Sequence, residues 1–195
     1  MDSINFWKTW YSLGYGSGLG SEGELKEFKI KFINSFIENN HISRVLDFGY
    51  GDAEIASQLD IKEYTGIDIV EQLEVKKNKF KAPVVELITS PFDKFNTQKT
   101  FELVNCIDVL YHILENEKPY LFATLNKIFT YSEKFVIIYA QDSYLDKFEQ
   151  TQSEYNCPWR QYVTHINSFE QIFEQEECMP GSLAKFYIFK RKYDL

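Results

Sequence analysis

The chain has 195 residues, 44% hydrophobic and 17% aromatic with seventeen Phe and thirteen Tyr, which excludes a disordered chain and supplies apolar surface for a sizeable core. A net charge of −8 without a basic stripe argues against a nucleic-acid surface, and the short run Lys76, Lys77, Lys79 reads as a solvated helix face. Cys106, Cys157 and Cys178 form no C-x-x-C, no paired metal-ligand spacing occurs, and no run of about 18 apolar residues exists to span a membrane. The expectation is a soluble, cytoplasmic protein with no metal, no membrane partner and no nucleic acid, organised as one domain over 1–195.

Residues 1–40 read as an aromatic, glycine-rich cap followed by a helix. Phe6, Trp7, Trp10 and Tyr11 precede a loop, 14–23, that holds five of the nine glycines. Such a loop can bring N–H groups close to a ligand, or it can be a flexible tether; the flanking aromatics favour the covering role. Ser21 and Glu24 have capping-box spacing, and Leu25, Phe28, Phe32, Ile33, Phe36 and Ile37 recur at helical spacing as a core face.

Residues 41–141 read as a cofactor-binding core. The run Ile42 to Phe48 predicts a buried strand that ends in Gly49-Tyr50-Gly51. A helical pattern at Ile55, Ala56 and Leu59 follows, then a strand over Tyr64–Ile67 that ends in Asp68, nineteen positions after Gly49. This is half of a nucleotide-binding β-α-β unit: small residues admit a ligand to the backbone, and the acid can accept from ribose hydroxyls. A dinucleotide is disfavoured because Glu54 stands where a third glycine would meet the pyrophosphate. Asp47 suits a ligand with a positively charged amino group, which S-adenosylmethionine carries. The bland alternative is a tight strand-to-helix turn with no ligand.

The segment Asp47-Phe48-Gly49-Tyr50-Gly51-Asp52-Ala53 resembles the first motif of the class I S-adenosylmethionine-dependent methyltransferases, with Ala53 in place of the last glycine. The resemblance implies a three-layer, Rossmann-like, doubly wound α/β fold with a seven-stranded sheet, mainly parallel with an antiparallel last strand. It also implies that Asp47 lies near the methionine amino group, that Gly49 and Gly51 line the cofactor, and that Asp68 holds the ribose; Ile69 joins the cofactor set. The N-terminal segment is similar to small bacterial methyltransferases of surface-polysaccharide biosynthesis.

Further along, Glu71–Phe80 predicts a charged helix and Val84–Ile88 a third strand. By the resemblance, Ser90 and Phe92 then sit beside the adenine, although a Pro-containing turn explains the segment as well. The strand Phe101–Ile107 runs into Asp108, Tyr111 and His112, on the strand-end edge where ligands sit in open α/β sheets. Ile107 and Asp108 join the cofactor set, as do Tyr11 and Ser17 from the cap. Tyr111 and His112 are the catalytic candidates. His112 would be a base for a hydroxyl acceptor or a hydrogen-bond donor to an anionic one, unless it is a structural histidine at a helix start.

A helix through Tyr120, Leu125 and Phe129 leads to a strand over Phe135–Tyr139. Residues 142–195 read as an acceptor-side loop, a last helix over Ser168–Gln175 and a closing strand over Ala184–Phe189. Arg160 could clamp an anionic acceptor, with Trp159, Tyr162 and His165 walling the pocket; equally, Arg160 could pair with a surface Glu. The sequence thus predicts methyl transfer from S-adenosylmethionine to a small polar acceptor, such as a sugar, phosphate or phosphoramidate group of a surface-glycan precursor. The rivals are a non-catalytic S-adenosylmethionine-binding partner or sensor and, less favoured, an NAD-dependent oxidoreductase.

Overall fold

The computed structural model describes residues 2–71, 75–141 and 159–193. Helix α1, Ser3–Ser12, starts where the Asp2 carboxylate accepts the Asn5 N–H at 2.7 Å. After a single tight turn at Leu19–Ser21 comes α2, Gly23–Asn39. The expected capping box does not form: Glu22 is the cap residue, with no side-chain bond, because Ser21 is buried in the turn ahead of the helix.

Strands β1 (Arg44–Phe48), β2 (Glu63–Asp68), β3 (Val84–Thr89), β4 (Phe101–Ile107) and β5 (Ser132–Gln141) pair in parallel. Helix α3, Lys118–Tyr131, connects β4 to β5 with its proline in the first turn. After the short α4, Trp159–Val163, β6 (Phe169–Glu174) and β7 (Ala184–Arg191) close the sheet, β7 antiparallel to both β5 and β6. The seven-stranded order is β3-β2-β1-β4-β5-β7-β6, so the expected mainly parallel sheet with an antiparallel last strand is what the chain forms. Side chains alternate between two cores. Leu46, Phe48, Val104, Cys106, Val136 and Ile138 pack with the buried stripe of α3, and Val45, Leu103, Ile137, Tyr139 and Phe186 with Ile33 and Ile37 of α2.

Two predicted helices are not there, and a third is not seen among the described residues. Between Gly51 and β2, only a tight turn at Ala56–Gln58 forms. Ala53 adopts φ of 62°, and Asp52 is bonded to the glycine-rich loop, so the backbone cannot wind a regular helix from this point. The predicted helix 71–80 lies partly outside the described residues, and its described part holds only a turn at Lys77–Lys79. The predicted helix 168–175 is strand β6 at the sheet edge. Phe169, Ile172 and Phe173 have helical spacing, but the main chain pairs along β7, Phe169 opposite Arg191, with an irregularity between Gln171 and Phe173. Phe173 also packs against Phe32 of α2, ring centres 5.5 Å apart.

Candidate active site

The candidate site lies at the C-terminal ends of β1, β2 and β4, where the strand order reverses between β1 and β4. Gly49 leaves β1 with φ of 84° and donates to the Ile67 carbonyl at 2.7 Å. A Cβ there would stand 2.3 Å from Val109 Cγ2, so only glycine fits the crossing of the two strand ends. Gly51, with φ of 54°, donates its N–H to Asp68 Oδ2 at 2.9 Å, and Val70 N–H reaches Oδ1 at 3.0 Å. The cleft holds about 780 Å³ of space including its open mouth, in the range of small-molecule sites.

The cap forms its roof. Ser17 sits directly over Gly51: its N–H donates to Asp52 Oδ2 and its hydroxyl accepts from Asp52 N–H, both at 2.9 Å, while Tyr11 and Ser17 hydroxyls share a 3.0 Å bond. Trp10 Nε1 donates to the Gly16 carbonyl at 2.9 Å and fixes the loop against α1. Deeper, Lys29 of α2 is 1% exposed; its ammonium donates to the Gly20 carbonyl at 2.8 Å, pairs with Asp108 Oδ2, and lies 4.4 Å from the Tyr139 ring centre. Asp108, with φ of 58°, also accepts from Tyr111 hydroxyl at 2.8 Å. One buried ion pair thereby ties the loop, α2 and the end of β4 together.

Burial sets the electrostatics. It pushes Asp68 up to about 6 against the bonds from Gly51 and Val70, and Asp47 up to about 7 against its 2.7 Å bond from Tyr64 hydroxyl. Tyr50 is raised to about 12 by burial and by Asp68, and Tyr11 higher still. The cleft is lined by the carboxylates of Asp52, Asp68 and Asp108 and by the rings of Trp7, Tyr11, Tyr50, Phe92 and Tyr120. Its only basic side chain among the described residues is His112, whose ring meets Trp7 edge-on at 4.7 Å and Tyr111 at 4.3 Å.

Of the residues singled out in the sequence, Tyr11, Ser17, Gly49, Gly51, Asp68, Ile69, Phe92, Ile107, Asp108 and His112 come together on this cleft. Asp47 lies behind it in β1. Tyr111 points its hydroxyl at Asp108, and Ser90 donates to the adjacent Pro91 carbonyl at 3.0 Å, neither of them lining the cleft. Arg160 binds Glu174 at 2.9 Å and stacks on Tyr187, His165 is exposed, Trp159 is buried with Nε1 donating to the Gln141 carbonyl, and Tyr162 stacks on Phe122. That group packs around α4 and β6 and does not wall the cleft. The rest of the expected acceptor loop, 142–158, lies outside the described residues. Glu54 is bound by Lys26 and Lys79, so its charge faces those lysines and not a ligand.

Sequence reasoning missed Trp7, Asp52, Tyr120 and Lys29. Lys29 did carry a signal: it stands four residues after Leu25 and four before Ile33, a charge inside an apolar stripe, which burial permits only when it is paired.

S-adenosylmethionine can be tested against these residues. The Oδ1 of Asp47 is buried without a partner, which suits a cationic group nearby. A sulfonium and an ammonium match a carboxylate-lined cleft, and aromatic faces match an adenine. A pyrophosphate matches neither, and with no helix following Gly51 it would lack the helix N-terminus that dinucleotide sites use.

The strand order and the cleft at the strand ends define a Rossmann-like fold of the methyltransferase type. A family model described as a methyltransferase domain matches residues 22–177, and the chain belongs to that family. No curated protein sequence matches it significantly. Among solved structures, it is similar to magnesium protoporphyrin IX methyltransferase from Synechocystis PCC 6803 with bound SAH, TM-score 0.72 at 14% identity over 98% of this chain and 100% of that one. It is also similar to N-methyltransferase NodS from Bradyrhizobium japonicum WM9 in complex with S-adenosyl-L-homocysteine, TM-score 0.74 at 12% identity over 95% and 100%. The methyltransferase domain of a bacterial Hen1 aligns with TM-score 0.62 at 17% identity over 86% and 100%.

Proposed function

We propose that this methyltransferase binds S-adenosylmethionine in the cleft and methylates a small polar acceptor at its His112 end. The observation that carries the reading is the cleft itself: Asp68 closes the Gly49–Gly51 turn, and three carboxylates share its walls with aromatic rings. Asp68 and Ile69 would hold the ribose, Phe92 and Tyr120 the adenine, and Asp47 would act from behind β1 on the methionine end. When bound, the cofactor supplies a methyl group on a sulfonium, a good leaving group. The chain's part is to exclude water under the cap, align the acceptor and take up a proton. His112 is the proton acceptor, held between Trp7 and Tyr111, and Tyr111 orients Asp108. The net charge of −8 and the acidic cleft support a small acceptor over RNA. The likeness of the N-terminal segment to surface-polysaccharide methyltransferases supports glycan building blocks as the first acceptors to screen.

The test is calorimetric titration with S-adenosylmethionine, S-adenosylhomocysteine and NAD(H), on the parent and on Asp68→Ala. Binding of both adenosyl compounds but not of NAD(H), weakened in the variant, is expected. Binding of NAD(H) alone, or of none of them, refutes the reading, and binding without turnover across the acceptor screen favours a sensor.

A further inference from the structure

Among the described residues, two cations that could receive an anionic acceptor are already committed. Lys29 gives its ammonium to Asp108 and to the Gly20 carbonyl. Arg160 gives its guanidinium to Glu174 and Gln171 and lines a separate cleft with Lys192. The carboxylates of the main cleft are unequally neutralised. Asp108 has Lys29, whereas Asp68 and Asp52 are held by backbone N–H groups: Gly51 and Val70 for the first, Ser17 and Glu54 for the second. Such bonds satisfy the carboxylate oxygens without bringing a countercharge to them. One cationic cofactor satisfies part of that charge and leaves the wall acidic. Beside His112 stands the Trp7 ring, centres 4.7 Å apart, with Tyr11 on the same cleft 5.8 Å from Trp7, and such ring faces attract an ammonium.

We infer that the acceptor is a primary or secondary amine, bound as its ammonium against this acidic and aromatic wall and methylated on nitrogen. The inference rests on the cofactor reading above. The ammonium first gives a proton to the His112 imidazole. The freed nitrogen lone pair then forms the nitrogen–methyl bond as the carbon–sulfur bond breaks, its electron pair staying on sulfur. A dialkyl sulfide and the N-methylated amine, as its ammonium ion, result, and His112 returns its proton to water.

The probes are three matched sets: glucosamine, glucose and glucose 6-phosphate; ethanolamine, ethylene glycol and hydroxyethyl phosphate; benzylamine, benzyl alcohol and benzyl phosphate. Each is titrated calorimetrically at neutral pH into the full chain loaded with S-adenosylhomocysteine, so the readout is affinity and not turnover. In at least one set, the amine should bind about tenfold more tightly than its hydroxyl and phosphate counterparts, and Asp52→Asn, which keeps the acceptor oxygen for Ser17, should cut that preference severalfold. Phosphates or alcohols binding as tightly as amines, no amine binding at all, or a preference untouched by Asp52→Asn overturns the inference. Failure of S-adenosylhomocysteine itself to bind overturns the cofactor reading instead.

Discussion

Replacing Lys29 by Met removes a buried cation while keeping most of its volume. Lys29 is 1% exposed, and the Asp108 side chain it pairs with is 15% exposed, so water can re-solvate the abandoned carboxylate only in part. Breaking a buried pair from one side costs about 3–5 kcal/mol, and the lost bond to the Gly20 carbonyl adds about 1. The remaining bond from Tyr111 and the partial exposure of Asp108 pull the total down to about 3 kcal/mol. For a domain of this size, that is a melting temperature lower by about 6–12 °C. The double variant Lys29→Met/Asp108→Asn leaves no unpaired charge and should recover at least half of the loss. Urea denaturation followed by circular dichroism gives both numbers. A single variant within about 1 kcal/mol of the parent, or a double variant no more stable than the single, would refute the assignment of this pair as the anchor of the roof.

Gly51→Ala places a Cβ 2.2 Å from Ser17 Oγ at a positive φ, so it should loosen the loop and weaken S-adenosylhomocysteine binding measurably by calorimetry; adding Ser17→Gly should restore part of the loss, and no rescue would mean that the steric account is wrong. Because burial holds Asp68 at about 6 and Asp47 at about 7 against an ordinary 3.8, the folded protein binds protons that the unfolded chain has released in this window. The two groups therefore make the ligand-free protein less stable as pH rises from about 5 to about 8, and the stability difference between Asp47→Asn and the parent should grow with pH; urea midpoints showing a constant difference would contradict this. A cationic ligand favours the ionised carboxylates, so its binding should release protons near neutrality, seen as a buffer-dependent heat. His112→Asn should lower kcat by about 10²–10⁴-fold with cofactor affinity nearly unchanged, and equal turnover of variant and parent would remove His112 from the mechanism.

What the sequence by itself determined is what depends on near neighbours. Parallel strands buried on both faces show as apolar runs, so β1, β2, β4 and β5 could be read within a few residues of their ends, and the half-exposed edge strand β3 showed through its Val-Val and Leu-Ile pairs. The Gly49–Gly51 turn and Asp68 followed from spacing, because a strand-turn-strand unit constrains them locally. Tertiary structure decided the rest. Strand β6 has phenylalanines at helical spacing, yet an open edge of β7 offers its backbone partners along most of its length. The expected helix after Gly51 gave way because Asp52 caps the loop from 35 positions earlier in the chain. Residue types group Arg160, His165 and Trp159 with an acceptor, but packing turns Arg160 to Glu174 and Trp159 into the core. The buried pair of Lys29 and Asp108 spans 79 positions of sequence, and only the folded sheet brings that charge and its partner into contact.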